Sequence, residues 1–533
     1  MKKRKSMKVF PVLALVFIFC IAAVTTTGAE QSSAAGKQSS QLSVEQQKAR
    51  YVSIPEKPSV TKHQVTVNGK KIAYTATAGF MPFYDKKGEQ KASFFYVAYV
   101  KEGASSPTSR PLTFCYNGGP GSASIWLHIA ALGPRTVSLG DGIHIPDPPY
   151  GVKDNPNTLL DLTDLVFIDP VGTGFSRAIP RDDFKKFWGV AQDVESVGQF
   201  IRTYVTENGR WESPVFIAGE SYGGIRTAGL SSYVQDMGLY PAGLIFISPA
   251  LTYATLMSQI GLDVPHILSI SEMATAAWYH HKIDPRFQKI PLDELLVKVR
   301  AWSSDEYARA LWEGNTLSPG KRRDIARQLS QYTSMPVDLI LSYNLRVPML
   351  TFMSHLLQDE RKAVSYYDSR VTGPCINSIF ADDPLMNNIG GPVAAAFNGY
   401  LKGELKFTTL AEYDRINVKA EPSWDWGSGA RSEGAEDPKM GYPETVTDLA
   451  RALRNNELLR VFVGIGMFDL ACVHDATIYA LNHLDIPPDR LDNIHVFTYP
   501  AGHMMYTYPI AHNKLKTDLS GFYARVLKRE KKK

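Results

Sequence analysis

The 533-residue sequence predicts an α/β fold: a mostly parallel central sheet with helices on both faces, interrupted by an inserted, mainly helical region. Three observations predict it. Short apolar runs, "DLVFID", "PVFIAG", "GLIFIS", "RVFVGIG" and "IHVFTY", have strand length and little polar alternation, as strands covered on both faces do. Helical stretches such as "GVAQDVESVGQFIRTYVTE" lie between several of them, and strand–helix alternation argues for a parallel sheet. From residue 252 to about 440 that rhythm stops. There "EMATAAWYHHK", "PLDELLVKVRAW" and "DEYARALWEG" follow a helical pattern, and loop-rich "SWDWGSGARSEGAEDPKM" comes after them.

The chain divides in order. Residues 1–29 hold a basic head, "MKKRKSMK", a 16-residue apolar run and small residues through "TTTGA". This is the pattern of a secretory signal, too short for a stable transmembrane span. Cleavage after Ala29 is expected, with an uncleaved anchor as the alternative; the mature chain is then exported, periplasmic or extracellular, with no stable membrane span. Residues 30–55 are a polar tether. Residues 56–251 and 441–530 are the two parts of the core, and 252–440 is the helical cap between them. In the first part, "HQVTVNGKKIAYTATAG" signals a hairpin around its Asn-Gly, and "SFFYVAYV" and "PLTFCY" read as further strands.

Charge and cysteine content exclude some function classes. The net charge of +5 belongs to the five basic residues of the head, which leaves 53 basic and 53 acidic residues. A near-neutral body makes no case for nucleic-acid binding. Cys115, Cys375 and Cys472 allow at most one bridge, so stability comes from the core. His280 and His281 lack metal-ligand spacing and no H-E-x-x-H occurs, so neither a metal nor a cofactor is expected.

The chemistry centres on "GESYG", Gly219–Gly223, between a β-rich run and a helical one. A strand-to-helix elbow of this kind lifts a serine onto a strained turn, and small neighbours let the helix pack close to the strand. Ser221 is the expected nucleophile, activated by a base. Asp469 falls just past "RVFVGIG" and His503 just past "HVFTY". The order Ser, Asp, His is that of the α/β-hydrolase layout, with all three at carboxyl ends of strands. The 114–124 loop, "FCYNGGPGSAS", has the flexible backbone of an oxyanion hole, with Gly119 and Tyr222 as the expected N–H donors. No G-K-[ST] follows it to favour phosphate.

Together "NGGPGSAS", "DPVGTGFS", "GESYGG", the Asp after "GIGMF" and "GHMM" resemble the serine carboxypeptidases (peptidase family S10) in order, from about residue 94 to 512. "FFYVAY", "WLHIAALGPR" and "AWYHHK" look most like the bacterial branch. The resemblance implies Ser221, Asp469 and His503 as triad and Gly119 and Tyr222 as oxyanion donors. It implies that Asn117, Gly118 and Glu220 hold the terminal carboxylate of a peptide with a free C-terminus, and that Met504 lines the leaving-group pocket. Two carboxyls can share such a site only if one is protonated, so acid conditions are favoured. The second family Glu, in "ELGP", is Ala131 here; Arg135 or the cap would have to supply a replacement donor. An esterase or acyltransferase on the same scaffold, and a non-catalytic binding protein, are the competing readings. Side-chain preference, natural substrate and oligomeric state are not encoded in any motif.

Overall fold

A computed structural model describes residues 57–104, 109–181, 183–375, 382–431 and 442–528. The expected signal and tether lie outside the described residues. The sheet is built from β1 (Ser59–Val67), β2 (Lys70–Tyr84), β3 (Gln90–Lys101), β4 (Leu112–Tyr116), β5 (Asp164–Ile168), β6 (Val215–Glu220), β7 (Gly243–Ile247), β8 (Arg460–Gly466) and β9 (Ile494–Tyr499). Their spatial order is β1-β2-β3-β5-β4-β6-β7-β8-β9, with the two-residue strand Arg177–Ala178 beside β3.

The first three strands form an antiparallel meander, and β3 also runs antiparallel to β5. From β5 to β9 every pairing is parallel. The β1–β2 turn is Asn68-Gly69, with φ of 49° and 74°, and Val67 pairs with Lys70. Two successive left-handed residues give the turn whose twist matches its strands, which is why Asn-Gly occupies it. Strands β4 to β7 are buried throughout, whereas β9, at the sheet edge, is half open to solvent despite its apolar sequence.

One hydrophobic core lies on each face. On the first, α8 (Pro509–Leu527) packs Leu515, Leu519 and Phe522 near Phe216, Ile245 and Phe462. On the second, α1 (Val190–Glu207), α2 (Gly223–Asp236) and α7 (Val446–Asn455) cover Ile217, Phe246 and Val463. Between β7 and β8, α3 (Ile270–Tyr279), α4 (Leu292–Trp302) and α5 (Pro319–Thr333) enclose a third core of their own, which Leu470 joins from beyond β8. The later helix α6 (Pro384–Gly403) behaves differently. Its Leu385, Ile389, Val393, Phe397 and Tyr400 form a stripe at helical spacing that enters the first core. Among the described residues no helix is long and apolar enough to cross a membrane.

Candidate active site

Strands β4 and β6 are neighbours, but the chain leaves β4 for β5 on one side and reaches β6 on the other. Such a switch point opens a crevice at the carboxyl ends of the strands. Asn117 to Ser124 follow β4 there, and Ser221 follows β6. Ser221 has φ 62°, a strained conformation for a residue with a Cβ. Its N–H donates to the Ile247 carbonyl at 3.1 Å, and its own carbonyl accepts from Gly224 and Ala250 at 2.7 and 3.0 Å. The glycines around it are required by contact: a Cβ on Gly219 would overlap the Gly223 carbonyl oxygen and the Thr227 hydroxyl, and one on Gly224 would sit 2.6 Å from the Ala250 oxygen.

His503 and Asp469 are brought together. His503 Nδ1 lies 2.7 Å from Asp469 Oδ2, and both residues are buried. The other Asp469 oxygen accepts the N–H groups of Ala471 and Cys472 at 2.8 and 2.9 Å. Burial disfavours a charged imidazole, but the charge and hydrogen bond of Asp469 outweigh it and raise the His503 pKa above its ordinary value. Burial and the Asp469 carboxylate keep the Cys472 thiol, beside Ser221, protonated. Among the described contacts none joins Ser221 Oγ to the His503 ring.

The glycine loop closes against the elbow. A Cβ on Gly118 would lie 2.5 Å from the Tyr222 nitrogen, so only glycine permits this approach. Gly119 adopts φ 102°, and neither its N–H nor that of Tyr222 donates to another described residue. Behind the loop, Arg226 of α2 is fully buried. It bonds Asp193 at 2.7 Å and the Asn117 carbonyl at 2.7 Å, and lies over the rings of Tyr116 and Tyr222.

Glu220, also buried, accepts from Asn117 Nδ2 at 2.7 Å and from the Tyr506 hydroxyl at 3.0 and 2.8 Å. Burial pushes its pKa up to about 7, against the pull of His503, Tyr506 and Asn117. Tyr506 is a site residue that the sequence reading missed; its only signal is its place three residues after His503. Arg135, one of the two candidate sources of a replacement donor, is engaged elsewhere: it bonds Glu404 at 2.8 and 2.9 Å and also pairs with Asp154. Ala131 is buried in the first core, with its carbonyl bonded by Asn155 and His512. Met504 is buried in the same core.

Cys115, Cys375 and Cys472 are buried and form no disulfide with one another. Glu272, His474 and Asp475 place potential metal-ligating atoms within 4.8 Å of one another. The Arg300 guanidinium already occupies that cluster, bonding Asp475 at 2.9 and 3.0 Å, so its chemistry favours an internal ion pair over a bound cation.

Part of the chain is similar to known proteins. Residues 68–237 match the model of the serine carboxypeptidase family. Serine carboxypeptidase S10 family member 1 of Dictyostelium discoideum is 25% identical over 167 residues, 31% of this chain and 37% of that protein. Serine carboxypeptidase-like 44 of Arabidopsis thaliana is 30% identical over 155 residues, 29% of each chain. The matches thus span about a third of the length of these relatives. The crystal structure of Kex1(delta)p, a prohormone-processing carboxypeptidase from Saccharomyces cerevisiae, superposes with a TM-score of 0.52 at 15% identity, covering 85% of this chain and 91% of that one. That likeness speaks for the fold alone. Over residues 68–237 the chain is thus similar to the serine carboxypeptidases, and its fold is that of the α/β-hydrolases.

Proposed function

We propose that this protein is an exported serine carboxypeptidase that removes the last residue of peptides through a Ser221–His503–Asp469 triad. Ser221 Oγ attacks the scissile carbonyl carbon as its proton passes to His503 Nε2, and Asp469 stabilises the imidazolium. A rotation about the Ser221 Cα–Cβ bond brings the hydroxyl to the imidazole. The oxyanion is held by the N–H groups of Gly119 and Tyr222. Collapse breaks the C–N bond, His503 protonates the departing amine, and water repeats the sequence on the acyl-enzyme to free Ser221 and the shortened peptide.

One observation carries the exopeptidase reading: a buried carboxyl, Glu220, sits directly before the nucleophile in a cradle of Asn117 and Tyr506. With a pKa near 7 it is protonated under acid conditions and can donate to a substrate's terminal carboxylate instead of repelling it. Gly118 and Met504 complete this leaving-group side. An N-blocked dipeptide and its C-terminal amide, compared from acid to neutral pH, test the reading. Turnover of the free acid alone, reduced at least about 10⁴-fold in Ser221→Ala, is expected. Equal turnover of the amide would remove the need for a carboxylate site. The esterase reading is favoured by Ala131, which leaves Glu220 without a second carboxyl partner; hydrolysis of simple esters with no peptide turnover would establish it.

A further inference from the structure

We propose that Glu421 is the acidic end of a second recognition pocket beside Ser221, one that takes the cationic side chain of a lysine or arginine flanking the cleaved bond. The inference rests on the peptidase reading above and names its substrate class. It starts from where the chain places Glu421. The preceding segment is laid on the glycine loop: the Ala123 N–H donates to the Arg415 carbonyl at 2.9 Å and the Asn417 N–H to the Gly121 carbonyl at 2.8 Å. A Cβ on Gly121 would lie 2.7 Å from Ala420 Cβ. Directly after Glu421, Trp424 and Trp426 meet the Tyr222 ring edge-on, with centroids 5.5 and 6.0 Å away, and Trp426 meets Tyr253 at 4.8 Å.

Two half-buried phenols connect Glu421 to the reacting centre. Burial raises the pKa of Tyr253, and both Cys472 and Glu421 add to the effect. Burial likewise raises Tyr367, with Asp383, Cys472, Glu421 and Asp469 adding to it. Both phenols therefore feel the charge of Glu421 on one side and of Cys472, three residues after Asp469, on the other. The Tyr367 ring also lies 5.3 Å from that of His503, and its carbonyl accepts the His503 N–H at 2.6 Å.

The carboxylate itself lacks a counter-charge. Asp193 has Arg226 and Glu404 has Arg135, but among the described residues no lysine, arginine or histidine pairs with Glu421 and no group donates a hydrogen bond to it. The charged neighbours on its own segment, Lys419 and Asp425, do not bond it; Tyr253 and Tyr367, from two other elements, are the titratable groups that feel its charge. Burial alone pushes its pKa up to about 7. A substrate ammonium or guanidinium supplies the missing charge. Because the cation favours the ionised carboxylate, preference for a basic residue is weak at acid pH and grows as pH rises to about 7 and beyond.

N-blocked dipeptides carrying lysine or norleucine, at the last position in one pair and the penultimate in another, test this. The ratio of kcat/KM for lysine over norleucine cancels titrations shared by the two substrates. It is expected to rise about tenfold between pH 5 and pH 8, equivalent to one unit of coupled pKa shift, and to stay flat in Glu421→Gln. The pair that responds identifies the acyl or the leaving-group side. A flat ratio for both pairs in the unaltered protein overturns the proposal. Calorimetric binding of the same peptides to Ser221→Ala gives the answer without turnover: pH-dependent lysine preference lost in the Ser221→Ala/Glu421→Gln double variant supports the pocket, and its absence overturns it. If the amide is cleaved as well as the acid while lysine preference persists, the carboxypeptidase reading falls and the pocket stands.

Discussion

The serine elbow and the helical insertion of residues 264–364 are built by opposite rules. Around Ser221, backbone meets backbone: Gly118, Gly219 and Gly224 have no room for a methyl group, and the charges of Arg226 and Asp193 are sealed inside. In the insertion, Gly314 and Gly320 have nothing within 4 Å, and its ion pairs such as Arg327–Asp324 stand in solvent. Its stability comes from apolar volume, with Leu295, Val299, Trp302, Leu329 and Phe352 filling one core. A backbone-defined site dictates residue identity, whereas a volume-defined core accepts many sequences.

The largest expected break in this comparison is at the ion pairs. Arg226→Met strands a buried Asp193 and should cost about 3–5 kcal/mol in chemical denaturation. Arg327→Met, on the insertion's surface pair at 2.9 Å, should change stability by less than about 1 kcal/mol. Similar losses from both would erase the distinction.

A matched glycine pair sharpens it. Gly219→Ala should destabilise by about 2–3 kcal/mol through overlap with the elbow, whereas Gly320→Ala, inside α5, should stabilise by about 0.5–1 kcal/mol. Thermal melts of the two variants should therefore move in opposite directions.

The smallest effect is conditional on pH. Glu220 has its pKa raised to about 7 by burial, so the folded state binds more protons than the unfolded state between the ordinary Glu range and about 7. Stability from this group is present in acid and is lost as pH rises through that window. Glu220→Gln should match the unaltered protein near pH 4 and exceed it by about 2 kcal/mol near pH 8. An equal difference at both pH values would place the cost in packing.

These contrasts also explain what the sequence disclosed. Asn68-Gly69 marked its hairpin because few residues tolerate two left-handed dihedrals, and "GESYG" marked the elbow because a Cβ on Gly219 is excluded. Asp469 and His503 were readable because each follows an apolar strand. Tyr506 was not: what it touches is Glu220, 286 residues earlier, and only the closed sheet brings them together. Glu421 was hidden similarly, in a loop whose position depends on hydrogen bonds to residues 121 and 123. The place of α6 was missed because a helical stripe says that a face is buried, not which core receives it. The edge exposure of β9 was missed because its run is as apolar as those of central strands.

The neighbouring strands β7 and β8 are separated in the chain by the whole insertion. During synthesis this becomes a delay. A growing polypeptide completes the Ser221 elbow long before Asp469 and His503 exist, and at ribosomal speeds the interval is on the order of half a minute. Any fragment ending before β8 carries a strained serine with neither of these partners. The same long connection that positions a cap also keeps an unfinished chain from assembling the Ser221–Asp469–His503 site.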